Sequence, residues 1–134
     1  MLKYVAAYGA TAIAFLGFDM IWLGFIAKDV YREKIGHLMA AQPSIPAALM
    51  FYALYFVGIM IFGVAPGLRD GTWKSAMIFG ALFGFFAYAT YDFTNWATLK
   101  DWPAILVPID LAWGTFITAV GSVVGYFAAR WVAS

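Results

Sequence analysis

Tyr88, Tyr91, Asp92, Asn95 and Trp96 place two phenols, a carboxylate, a carboxamide and an indole inside a very apolar stretch. Residues three, four and seven apart share a helix face. Tyr88, Asp92, Asn95, Trp96 and Leu99 are therefore expected to form one polar-aromatic stripe. A charge at the centre of a bilayer costs about 3 kcal/mol on insertion scales, so such side chains usually face the bundle interior or water. Asp19 and Asp110 occupy similar settings in the first and last apolar segments, and each acid has a tryptophan one turn on: Trp22 after Asp19, Trp96 after Asp92, Trp113 after Asp110. Carboxylates so placed can hold a hard cation through oxygen ligands. They can also relay protons with Tyr and Asn partners, or bind helices together through hydrogen bonds.

The elements that must position these groups follow from composition. The chain has 134 residues, 65% hydrophobic and 11% charged, too apolar for a soluble domain of this size. Lipid is the natural solvent. A net charge of +1 argues against nucleic acid, which needs a concentrated basic patch. Without cysteine there are no disulfides, thiolate metal sites or Cys nucleophiles. The expected fold is an all-α integral membrane protein, a single four-transmembrane-helix bundle with helices at about 3–27, 46–64, 73–99 and 103–130. The first segment is read as a retained helix rather than a signal peptide, because its apolar run is too long and contains Asp19. Between the first two helices, residues of about 29–41 alternate an apolar face (Val30, Tyr31, Ile35) with Arg32, Glu33 and Lys34, as a short interfacial helix does. Pro66 to Gly71 reads as a turn, and Pro108 as a kink that frees carbonyls near Asp110.

Helix rise then fixes depth. Asp19 precedes Lys28 by nine residues and Asp92 precedes Lys100 by eight, which sets both roughly 12 Å below the same surface. Asp110 follows Pro103 by seven residues on a helix running the other way, about 10 Å below that surface. The three acids are expected to meet in one leaflet, with Asn95, Tyr88, Tyr91, Trp22, Trp96 and Trp113 around them. Arg32, Lys34 and His37 on the interfacial helix are candidates for contact with a lipid headgroup. If any metal binds, Asp19, Asp92 and Asp110 are its ligands; a divalent cation is an option, and no other cofactor is indicated. Lys/Arg counts on the two faces are four against four, so orientation is open. Gly80-x-x-x-Gly84 and Gly121-x-x-x-Gly125 allow close helix approach, either within the chain or across a homodimer or larger membrane complex.

Asp19-Met-Ile-Trp-Leu-Gly24, Tyr91-Asp-Phe-Thr-Asn-Trp-Ala-Thr-Leu99, Trp102-Pro103 and Asp110-Leu-Ala-Trp-Gly114 resemble the bacterial predicted membrane proteins of domain-of-unknown-function family 2177. The likeness spans essentially the whole chain. Phe93 and Trp96 depart from the Leu and the smaller apolar residue that the family pattern leads one to expect. The resemblance implies a small integral membrane protein, in a bacterial inner (cytoplasmic) membrane, and no activity or substrate. From the residues themselves come a membrane protein whose polar pocket binds a lipid or serves another membrane protein, a proton- or cation-coupled small transporter, and a cation-dependent enzyme on a lipid or isoprenoid. Whether the chain is an enzyme is left open, since no DxxD, HExxH or nucleophile elbow is present.

Overall fold

The computed structural model describes residues 1–134 and contains helices but no strand. In chain order these are α1 (Leu2–Ile26), α2 (Lys28–Ile35), α3 (Ile45–Asp70), α4 (Trp73–Thr98) and α5 (Leu106–Ala133). All except α2 are long and apolar enough to cross a membrane. Only 29 of the 134 residues are buried, so most apolar side chains face outward, Ile13, Phe25, Leu54 and Phe86 among them. In water that exposure would cost roughly 25 cal/mol per Å²; acyl chains remove the cost.

The spanning helices run antiparallel to their neighbours in chain order, and α5 is the one on which α1 and α4 both pack. Small residues make this contact close. A Cβ on Gly84 would stand 2.6 Å from Cβ of Thr118, and one on Gly125 would stand 2.7 Å from Cγ2 of Val64. Thr11 of α1 donates its hydroxyl to the Gly121 carbonyl of α5 at 2.8 Å. The glycines of both G-x-x-x-G phrases are thus spent inside the chain: Gly80 and Gly84 against α5, Gly121 and Gly125 against α1 and α3. An aromatic cluster of Phe15, Tyr52, Tyr55 and Phe56 seats α3 against α1.

Helix ends follow local chemistry. Ser44 caps α3, accepting from the Ala47 amide, with Pro46 in the first turn where its missing N–H is not needed. Thr72 caps α4, and Gly71, at φ 72°, ends α3 in the left-handed conformation that glycine adopts freely.

Three expectations are corrected. Pro66 does not begin a turn: α3 continues through it to Asp70. A wide π turn at Met60–Val64 shifts the hydrogen-bond ladder by one residue, so Pro66 stands at the start of a new α turn, where it is tolerated. Pro108 makes no kink, because α5 starts at Leu106 rather than Pro103; the proline then occupies the third helical position, whose N–H has no intrahelical partner in any case. The interfacial helix is shorter than expected. It stops at Ile35, and one tight turn at Gly36–Leu38 follows before the chain straightens.

Candidate functional site

Asp19, Asp92 and Asp110 are all buried, with 8%, 0% and 6% of their surface exposed. Each acid comes from one of the three tightly packed helices, but the groups that bond to them come largely from elsewhere. Asp19 accepts from the Tyr52 hydroxyl of α3 at 2.7 Å and from the Trp113 indole of α5 at 3.2 Å. Asp110 accepts from the Tyr31 hydroxyl of α2, which itself accepts from the Trp22 indole at 3.2 Å. The Trp22 and Trp113 rings stack at 4.5 Å and 7°, tying the two acid centres together. Each tryptophan therefore serves a group on another helix, not the acid that precedes it on its own.

Asp92 is the exception. Neither of its carboxylate oxygens has a hydrogen-bond partner, and the buried indole N–H of Trp102 is also unpartnered. The polar side chains beside Asp92 are Asp110 and Trp102. Two buried carboxyls this close cannot both be charged without heavy repulsion. Were one proton held between them, one carboxyl would donate to the other.

In front of Asp19 and Asp110 lies a chamber of about 280 Å³ beneath α2, walled by Trp22, Tyr31, Tyr88, Tyr91 and Trp113. No Lys, Arg or His lines it. Beside it, between α3 and α4, runs a mainly apolar groove of about 390 Å³ lined by Phe51, Tyr55, Ala87, Tyr88 and Tyr91. Tyr88 and Tyr91 belong to both. Tyr88 can stand there because Gly114 leaves room for its ring. At the chamber roof, burial first and then the hydrogen bond to Asp110 hold the Tyr31 phenol above its ordinary range, so Tyr31 stays a donor.

Other expected site residues lie elsewhere. Trp96 is 49% exposed and leans on Phe93, away from the chamber. Trp102, in the loop before α5, is buried beside Asp92 and meets Tyr91 edge-on at 5.7 Å. Asn95 is half-buried beside Tyr91 and does not line the chamber. Arg32 and Lys34 are exposed on the outer face of α2, while His37 faces Asp101, Nε2 to Oδ2 3.6 Å. Of the three acids expected as ligands if a metal binds, Asp19 is bonded to Tyr52 and Trp113, and no group of three acidic or imidazole side chains is placed to hold a metal ion.

Tyr31, Tyr52 and Trp102 were not among the expected site residues. A signal was present: buried carboxylates need donors, and the only polar side chains within the apolar span of α3 are Tyr52 and Tyr55.

No curated protein and no solved structure matches this chain. A family model described as predicted membrane protein does, over residues 4–127. With that match covering nearly its whole length, and with four helices of spanning length and composition, the chain belongs to the DUF2177 family of membrane proteins.

Proposed function

We propose that the chain binds a membrane amphiphile whose headgroup carries hydrogen-bond donors, an amine or hydroxyl, in the chamber under α2. The observation that carries this reading is the pair of adjoining cavities that share Tyr88 and Tyr91, one acid-lined and the other mainly apolar. A head would meet the open lone pairs of Asp19 and Asp110, and a tail would lie along Phe51 and Tyr55. With two carboxylates and no cationic side chain in its wall, the chamber repels phosphate and carboxylate heads. The expected setting is a bacterial cytoplasmic membrane, with the chamber on the face opposite the termini.

The test is a titration of the purified protein in micelles with dodecylamine, dodecanol, dodecanoate and dodecyl phosphate, read by Trp22 and Trp113 fluorescence. Dodecylamine and dodecanol should saturate the signal, and Asp19→Asn with Asp110→Asn should weaken dodecylamine at least tenfold. An equal response to dodecyl phosphate, or an undiminished one in the double variant, rules the reading out.

A second reading, a proton-linked carrier, is favoured by the Asp92–Asp110 pair, since a shared proton in the membrane interior is what such a carrier loads and releases. It predicts that Asp92→Asn abolishes proton movement in vesicles while leaving amphiphile binding intact.

A further inference from the structure

The opposite end of the molecule carries a second site. Between the start of α1 and the end of α3 lies a notch of about 410 Å³ whose rim holds Lys3 and Arg69 and whose floor includes Tyr4 and Pro66. Tyr4 also lines a second hollow, about 300 Å³, that descends along the same seam past Val5 to Tyr8 and Met60. Five residues separate Lys3 from Tyr8, so the seam sinks roughly 7.5 Å below the charged rim. At its foot the Tyr8 hydroxyl donates to the Ala53 carbonyl at 3.0 Å. Charge above and apolar walls below match the profile of a phospholipid at the edge of a bilayer.

The sign of the charge follows from the whole face. Lys3, Arg69, Lys74 and Arg130 lie at this end, against a single acidic side chain, Asp70. Asp70 takes only the Nε proton of Arg69, at 3.1 Å. Both terminal nitrogens of that guanidinium remain for a ligand, a fork suited to phosphate oxygens. Arg130 is engaged by Tyr126 at 2.7 Å and does not line the notch.

We infer that this seam binds an anionic phospholipid, its phosphate held between Lys3 and Arg69 and the upper part of one acyl chain laid along Tyr4, Val5, Tyr8 and Met60. The site is independent of the acid chamber and opposite to it in headgroup charge.

The experiment is native mass spectrometry of the full chain released from micelles containing equal phosphatidylglycerol and phosphatidylcholine. Wild type should retain phosphatidylglycerol at least tenfold over phosphatidylcholine. Lys3→Gln with Arg69→Gln should lose most of that preference, and both side chains are accessible enough that folding is preserved, as circular dichroism would verify. Lys74→Gln with Arg130→Gln should keep it. Equal retention of the two lipids, or a preference unaffected by Lys3→Gln and Arg69→Gln, overturns the inference. So does equal loss in the Lys74 and Arg130 variant, which would reduce the effect to diffuse surface charge. Millimolar inorganic phosphate should not displace the lipid; displacement would show that the ion alone is bound and that the apolar seam has no part.

Discussion

Gly114→Ala is the sharpest probe of the wall between the chamber and the groove. A Cβ at this position would stand 2.6 Å from Cδ2 of Tyr88 and closer still to Cγ and Cδ1. Carbon atoms rest at about 3.5–4.0 Å, so the ring must retreat by about 1 Å. The atoms met are at the near end of the ring, where χ rotation gives little relief, and the displacement passes to the backbone of α4. Overpacking of this kind costs about 1–3 kcal/mol. Against it stands the gain of Ala over Gly inside a helix, about 1 kcal/mol. Gly17 is the control, because nothing lies within 4 Å of a Cβ placed there. Gly17→Ala should be neutral or stabilising, whereas Gly114→Ala should destabilise by up to about 2 kcal/mol and weaken dodecylamine binding. Unfolding from mild micelles by added sodium dodecyl sulfate, followed by tryptophan fluorescence, measures both. On a Tyr88→Leu background the Gly114→Ala penalty should vanish, which assigns it to the ring. If Gly114→Ala is as stable as Gly17→Ala, Tyr88 does not pack on α5 and the two cavities are not divided as described.

Further outcomes follow from the acid network. Asp92→Asn keeps the shape of the side chain and supplies an N–H for Asp110, so its stability should stay within about 1 kcal/mol of wild type, while Asp92→Ala should cost about 1–3 kcal/mol; equal damage from both would refute the shared proton. Tyr31→Phe removes the donor that holds α2 to Asp110, and hydrogen exchange of residues 28–38 should speed up severalfold, with α4 and α5 unchanged. Because burial and Asp110 raise the folded-state value of the Tyr31 phenol, the stability it contributes is complete below the ordinary tyrosine value of about 10 and is lost as pH rises toward the folded-state value. Protection of α2 should therefore decline above about pH 10 in wild type; in Tyr31→Phe it should show no such step.

The four spanning helices were legible because hydropathy and length decide them with little help from tertiary contacts. The common level of the three acids was legible as well, since a rise of 1.5 Å per residue needs only the helix count, and Asp19 and Asp110 do line one cavity with Asp92 beside Asp110. Partner choice was not. Asp19 and Trp22 share a helix face in sequence, yet Trp22 serves Tyr31 while Trp113 serves Asp19. Which helices adjoin depends on where glycines permit contact, and hydropathy does not contain that. Trp102, not Trp96, stands beside Asp92 for a related reason: spacing along α4 says nothing about a loop folding back to cover its end. Pro66 misled because the turn rule for Pro-Gly assumes a regular α ladder before it, and a π turn removes that condition.

The acids and their donors differ in how firmly the fold holds them. Asp19, Asp92 and Asp110 stand on α1, α4 and α5, which are locked by small residues at contact distances that permit no slack. Tyr52 comes from the first half of α3, seated on α1 by aromatic side chains, ahead of the close glycine contacts at Gly58, Gly63 and Gly67, and Tyr31 comes from α2, eight residues long and without a buried residue. A ligand bearing its own donors can replace a phenol at Asp110 far more cheaply than it can shift a carboxylate. Release of Tyr31 would open the chamber at its roof without touching the helical seams that stabilise the bundle. On the proposed reading headgroup selectivity would rest on the fixed acids and access on α2, so substitutions at Tyr31 should change the rates of amphiphile binding and release together, leaving the preference for amine over phosphate heads unchanged.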